Sequence, residues 1–262
     1  MIFTDPPSNH AIAANVSNLG KVKHRESVRS GELSPDEHTN FLETVFSRLI
    51  DFSLSGSIHF VCVNWRHMRQ LLIAATKPYG DLQDLCVWSK TNAGMGGLYP
   101  SGHELVFVFK NGAAEPIKNI EVGRHGRHRT NVWKYPGPTT IGSDPDGEIV
   151  THPTLKPVAL IADTILDCSR RGGIVLDAFA GSGSTLIAAE KTGRRGFGIE
   201  IDPHDVDSIV RRFDTLYGLK AVHAGSDLDF AAVSRRRSKE TSDDQKGNKH
   251  SIKEQRRRAK GR

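Results

Sequence analysis

Cysteine is scarce. The 262-residue chain has three, Cys62, Cys86 and Cys168, each isolated in an apolar or helical stretch with no Cys-x-x-Cys pair. That argues against a disulfide framework or a structural metal site and for a reducing compartment. Long hydrophobic runs are missing as well: no window approaches the roughly 18 uninterrupted apolar residues of a membrane span. The opening Met1-Ile2-Phe3-Thr4-Asp5-Pro6-Pro7 lacks the basic-then-apolar succession of a secretory signal, so a cytoplasmic location with no membrane partner is expected. The chain nevertheless has the means to fold. Hydrophobic residues make up 37% of it before its 25 glycines are counted, which excludes a disordered or fibrous polymer.

Charge is unevenly distributed. The formal net is +6, yet residues 235–262 hold 12 Lys+Arg against 4 Asp+Glu, leaving the first 234 residues slightly acidic. The basic character therefore belongs to the end of the chain, where Arg235-Arg236-Arg237 and Arg256-Arg257-Arg258 stand in a hydrophilic, aromatic-free stretch. Such a composition cannot bury a core and predicts an unstructured tail over 231–262, behind a folded domain over 1–230. The tail would lend salt-dependent affinity for a polyanion, or serve only to solubilise.

Ser34, Pro35 and Glu37 form a capping box for a helix whose Phe41, Leu42, Val45, Phe46, Leu49 and Ile50 share one face. Strands are expected at 57–63, 82–89 and 104–110, with a helix over 65–76 and a glycine-rich loop over 91–99. From 111 to 150 the pattern dissolves into glycine, proline and basic residues. It resumes as a helix near 156–169, then strand 173–176, helix 184–192, strand 196–201 and helix 205–217. Strand–helix alternation of this kind predicts an α/β fold with a parallel sheet covered by helices on both faces.

Within the second half, Asp177-Ala-Phe179-Ala-Gly181-Ser-Gly183-Ser184-Thr185 is a strand end, a glycine turn and a helix start. Gly181 and Gly183 permit positive φ and close backbone approach, and the helix start offers free N–H groups. Glu200 follows 23 residues after Asp177, near the spacing at which an acid meets ribose hydroxyls. An acid at the strand tip suits a cationic amine better than a pyrophosphate, which favours S-adenosylmethionine over a dinucleotide. Taken alone, a tight strand-to-helix turn explains the glycines equally well. Asp5-Pro6-Pro7 taken alone is likewise ordinary turn chemistry.

Three motifs in order change that. Asp5-Pro6-Pro7-Ser8, His152-Pro153-Thr154-Leu155-Lys156-Pro157 and the Asp177–Thr185 segment together resemble the amino-group DNA methyltransferases, in the permuted class whose catalytic motif comes first. Trp88-Ser-Lys90, His103-Glu104 and Asn131-Val-Trp133 match the family's middle strands and the stretch after its recognition region. The resemblance covers about residues 1–230. It implies a doubly wound, mostly parallel Rossmann-like methyltransferase sheet with a loop-rich recognition insert near 111–150. It also implies S-adenosylmethionine as cofactor, double-stranded DNA as partner, no metal, and a prokaryotic or phage origin in a restriction–modification setting. A homodimer is left open.

By the same resemblance Asp5, Pro6, Pro7 and Ser8 are the catalytic residues. Phe179 belongs near the cofactor adenine, Thr154 and Lys156 near its methionine end, and Glu200 on its ribose, with Asp177, Gly181, Gly183 and Ser184 completing the cofactor turn. Lys156 is also readable as a helix-start charge, and Phe179 as core. Arg124, Arg127 and Arg129 are candidate DNA contacts, or part of a solvated loop. Aspartate at the head of the proline motif points to adenine N6 ahead of cytosine N4. No cysteine follows a proline, which sets aside cytosine C5 chemistry.

Two departures stand out. Ser8 occupies the position where the family carries an aromatic ring, and only Met1 to Thr4 precede Asp5. The first suggests a catalytically impaired remnant that only binds DNA. The second suggests a marginal first strand, in a fragment of a longer product or one begun at a misassigned methionine. A methyltransferase for small molecules is a third alternative, disfavoured by the insert.

Overall fold

The computed structural model describes residues 1–7, 9, 33–94, 98–120, 129–137 and 156–239. The chain divides into two compact units, Met1–Val206 and Asp207–Arg262.

The first unit is built on a seven-stranded sheet in the order β5-β3-β4-β2-β1-β6-β7. Its strands are β1 (Ile2–Thr4), β2 (Ile58–Val63), β3 (Asp84–Gly94), β4 (Ser101–Lys110), β5 (Val132–Tyr135), β6 (Ile174–Asp177) and β7 (Arg195–Gly198). The β1–β2, β1–β6, β6–β7 and β3–β5 pairs are parallel, and β4 runs antiparallel to both β2 and β3. The first strand is three residues long, yet it is paired on both sides and fully buried. Its place at the centre, where the chain order reverses, makes its carboxyl end the crevice of a doubly wound sheet.

Alternation along the strands feeds two cores. Ile2, Val61, Val63, Leu105, Phe107 and Phe109 pack against α1 (Pro35–Asp51) and α2 (Met68–Tyr79). Across the sheet, Phe3 meets Phe60 and Phe60 meets Trp133. The same side of the molecule carries α3 (Val158–Cys168), which packs on α4 (Ser184–Lys191), itself seated on β6 and β7. Helix α1 begins as its sequence predicts: the Ser34 hydroxyl accepts from the Glu37 N–H at 3.3 Å and the Glu37 carboxylate accepts from the Ser34 N–H at 2.8 Å. Its buried stripe of His38, Leu42, Phe46 and Leu49 starts one turn earlier than the apolar pattern alone shows.

In the second unit, β8 (Val222–His223) and β9 (Leu228–Asp229) form an antiparallel pair. Residues 230–239 are helical, so Arg235, Arg236 and Arg237 ride on a helix where composition predicted an unstructured chain. No helix among the described residues is long and apolar enough to cross a membrane.

The 111–150 stretch is less formless than its composition. Val132–Tyr135 pairs in parallel with Val87–Lys90 as the edge strand β5. Arg129, expected to reach for DNA, turns inward instead. Its guanidinium pairs with the buried Asp167 of α3, bonds the Tyr135 hydroxyl at 3.2 Å and lies over the Trp133 ring at 4.7 Å. The reason is local: a planar cation beside an indole and a buried carboxylate gains a stack and an ion pair at once. Arg129→Ala should therefore lower unfolding free energy by about 3 kcal/mol, because Asp167 would be left buried without its cation. Denaturant unfolding checks this, and an unchanged midpoint would contradict it.

Candidate active site

Every candidate residue that the structure describes, apart from Arg129, gathers at one edge of the sheet. Parallel pairing puts the carboxyl ends of β1, β6 and β7 there, carrying Asp5, Asp177 and, just beyond β7, Glu200. The antiparallel β4 brings the early part of its strand, with Glu104, to the same edge. Its neighbour β3 brings Lys90, two residues past the Trp88↔Glu104 pair.

The two halves of the site are tied together at β1 and β6. Thr4 donates its hydroxyl to Asp177 Oδ1 at 2.9 Å, within the buried layer. Thr185 at the start of α4 donates to Asp177 Oδ2 at 2.6 Å, and the Phe179 N–H donates to Oδ1 at 3.0 Å. Burial pushes this carboxyl up to about 6 against those three donors. Asp177 is thus engaged on both oxygens by the chain itself. These bonds also fix the turn that follows Asp177.

That turn is open where a ligand would need it. Gly181 has φ +50°, and a Cβ there would meet nothing closer than the Phe179 carbonyl at 4.0 Å. Gly183, at φ 83°, ends the turn in the left-handed region and α4 begins at Ser184. The Ser184 hydroxyl is buried with no hydrogen-bond partner among the described residues. An orphaned hydroxyl at a helix start, under a backbone left bare by glycine, fits an unfilled polar ligand site. Glu200 spans the mouth of the turn. Its Oε2 accepts from the Gly181 N–H at 2.7 Å, and Oε1 accepts from the N–H groups of Ile201 and Asp202 at 2.8 and 2.9 Å. Phe179 is half-buried, its ring 6.0 Å from that of Phe41, so core packing holds it beside the turn.

On the other side of the crevice, Lys156 is clasped by two carboxylates. Its Nζ lies 2.6 Å from Asp5 Oδ2 and 3.0 Å from Glu104 Oε2. Glu104 also pairs through Oε1 with Lys90, whose ammonium sits 4.8 Å over the Trp88 ring. Burial works against the Lys156 charge, but Asp5 and Glu104 outweigh it and raise the ammonium above the ordinary lysine range. Burial pushes the Asp5 carboxyl up, with Lys156 opposing. The Glu104 carboxyl is lowered: burial would raise it, and Lys156 and Lys90 more than compensate. Asp5 is the open end of this chain, its side chain 38% exposed against 11% for Lys156. Lys156, expected at the methionine end of a cofactor, is thus held on Asp5 and Glu104.

Sequence reasoning did not assign roles to several of these groups. Lys90, Glu104 and Thr185 stood in the matched motifs without a role, and Thr4 in none; their partners supply the roles. His38 donates from Nε2 to the Pro7 carbonyl at 3.3 Å, bracing the proline turn from α1, and burial lowers its pKa. Its signal was available, as a histidine falling on the apolar stripe of a well-capped helix. Trp88 is buried, with its Nε1–H on the Tyr135 carbonyl at 3.1 Å. Ser8, Thr154, Arg124 and Arg127 lie outside the described residues.

Known proteins resemble this chain in sequence and in fold. The chain is 38% identical over 89 residues to the type II methyltransferase M.ScaI of Streptomyces caespitosus, covering 34% of this chain and 29% of that protein. It is 36% identical over 114 residues to the DNA adenine methyltransferase YhdJ of Escherichia coli K12, covering 44% and 35% respectively. These matches therefore span only about a third of the relatives' length. Among solved structures, the M1.HpyAVI–SAM complex superposes with a TM-score of 0.59 at 19% identity, over 81% of this chain and 87% of that one. The cytosine-N4-specific PvuII DNA methyltransferase superposes at 0.62 and 15% identity, over 81% and 78%. The family model described as DNA methylase (N6_N4_Mtase) matches residues 1–211, most of the chain and the whole of the site just described, and the chain belongs to that family.

Proposed function

We propose that this chain transfers a methyl group from S-adenosylmethionine to the exocyclic amine of a base in DNA, adenine N6 ahead of cytosine N4. The observation that carries the proposal is the adjacency of two unlike sites. A carboxylate on a proline-fixed turn stands beside a glycine turn with an orphaned hydroxyl, joined to it by the Thr4–Asp177 hydrogen bond. Family membership and the relatives' names agree with it. Aspartate at position 5 supports the choice of adenine.

The residues suit the chemistry. A ring-conjugated amine is a poor nucleophile because its lone pair is delocalised. Asp5 Oδ1, which takes no hydrogen bond from the described residues, and the Pro6 carbonyl would accept the amine's N–H bonds. That would draw the nitrogen towards tetrahedral geometry and release the lone pair. Pro6 and Pro7 restrict the backbone that presents both acceptors, so alignment is prepaid in the fold. Phe179 offers a face for an adenine ring, Glu200 an acceptor for ribose hydroxyls, and Ser184 an unused hydroxyl at the helix start. S-adenosylmethionine, when bound there, supplies an electrophilic sulfonium methyl. The base must leave the duplex to reach Asp5.

Trp88, Tyr99 or another ring would have to replace the aromatic missing at Ser8. Trp88 is excluded by its burial, whereas Tyr99 is 79% exposed in the segment joining β3 to β4. Arg124 and Arg127 remain the proposed phosphate or base contacts of the insert, without Arg129.

Incubation with methyl-labelled S-adenosylmethionine and mixed-sequence duplex DNA should give label in N6-methyladenine. Label in N4-methylcytosine would overturn the choice of base, binding without transfer would indicate a DNA-binding module, and no involvement of DNA would favour a small-molecule substrate. Asp5→Asn should reduce transfer at least about a hundredfold while S-adenosylmethionine affinity, read by calorimetry, stays within about twofold. Ser8→Tyr should raise kcat/KM by roughly ten- to a hundredfold, the value of a base–aromatic stack of about 1–3 kcal/mol. An unchanged or lower rate would show that Ser8 is no handicap. Arg124→Ala and Arg127→Ala should each weaken DNA binding and flatten its salt dependence by about one phosphate contact.

A further inference from the structure

The charged chain Lys90–Glu104–Lys156–Asp5 contains more than the reaction needs. One ammonium beside Asp5 would suffice to neutralise it, yet the fold adds a second carboxylate and a second ammonium from β4 and β3, all joined by direct contacts. These additions come from β3 and β4, away from the turns that follow β1 and β6. Buried ion pairs cost desolvation that their attraction only partly returns, so a four-member chain is an expensive way to hold strands together.

We propose that Glu104 and Lys90 are positioning residues for Asp5: Lys90 pins Glu104, Glu104 draws Lys156 towards itself, and Lys156 is left to hold Asp5 by Oδ2 alone, with Oδ1 kept for the amine of the incoming base. The inference rests on the assignment of Asp5 as that amine's acceptor. The geometry makes the point directly. Lys156 Nζ sits between the two carboxylates, touching one oxygen of each at 2.6 and 3.0 Å. An ammonium carries three donors. Without Glu104 those donors would turn to Asp5, whose two oxygens would then both be occupied. Without Lys90, Glu104 would lose its second cation and compete harder for Lys156, loosening the hold on Asp5.

The same geometry sets opposite electrostatic consequences for the two residues. Among the described residues, the charged or titratable groups facing Asp5 are Lys156 before α3, Glu104 on β4, Lys90 on β3, Cys62 on β2 and Asp177 on β6. Cys62 is buried, and burial raises its thiol well above the usual range, so it stays neutral. Glu104 raises the Asp5 carboxyl, and Lys156 and Lys90 lower it. Removing the Glu104 charge should therefore make Asp5 more acidic, and removing the Lys90 charge should make it less so.

The test is a carbon-13 NMR titration of the Asp5 carboxyl in the full chain, its resonance assigned by its loss in Asp5→Asn. Glu104→Gln should move the Asp5 midpoint down by about one pH unit and Lys90→Gln should move it up by a smaller amount, while Lys90→Arg should restore it. If Gln at 104 prevents folding, the Lys90 pair of variants carries the test: an upward shift reversed by Arg supports the inference, and its absence overturns it. In folded variants, either one leaving Asp5 unmoved, or both moving it the same way, overturns the inference. Kinetics run alongside on methyl transfer to duplex DNA. Glu104→Gln should lower kcat by roughly ten- to a hundredfold with the KM for S-adenosylmethionine nearly constant. Opposite shifts in a protein that transfers no methyl would overturn the functional proposal alone, and transfer without the shifts would overturn this inference alone.

Discussion

Thr4 donates its hydroxyl hydrogen to Asp177 across the junction of β1 and β6, and the rest of this sheet edge is built outwards from that contact. On one side the chain leaves β1 through Asp5 and two prolines. On the other it leaves β6 through Asp177 into a glycine turn and α4. Parallel neighbours at the centre of a sheet must send both exits in the same direction, so two segments more than 170 residues apart open onto one crevice. Burial on both faces leaves the carboxyl edge as the place where such a sheet can act.

Asp5 and Asp177 show how placement separates two identical side chains. Asp177 is buried among a threonine hydroxyl from each side and a backbone N–H, with no cation in contact among the described residues, and its carboxyl is pushed up to about 6. It serves the backbone. Asp5 sits at the open end of an ion chain, one oxygen on Lys156. It faces the crevice. Unlike surroundings for paired carboxylates are a recurrent means of assigning them different work.

What could be read in the sequence was local or carried by whole motifs. The Ser34 cap, the stripe of α1 and the glycine turn each depend on residues within a few positions of one another, and they formed as expected. The alternation of strands and helices was enough to give an α/β sheet, and the family resemblance implied that it is doubly wound and mostly parallel. Contacts that depend on distant partners were not readable. Val132–Tyr135 is a short edge strand inside a glycine- and arginine-rich stretch, and only pairing with β3 makes it one. Arg129 carries the same charge as its neighbours, and nothing local announces that Asp167 waits for it. Lys156 at a helix start gave no sign of Glu104, since the pair is assembled by the antiparallel course of β4.

The central claim is that the Asp5 turn and the Gly181–Ser184 turn face one ligand. A crystal structure of the full chain with S-adenosylhomocysteine tests it most directly. The account predicts the adenine against Phe179, the ribose hydroxyls on Glu200, and the sulfur turned towards Asp5. A ligand bound elsewhere, or bound here with its sulfur directed away from Asp5, would contradict it.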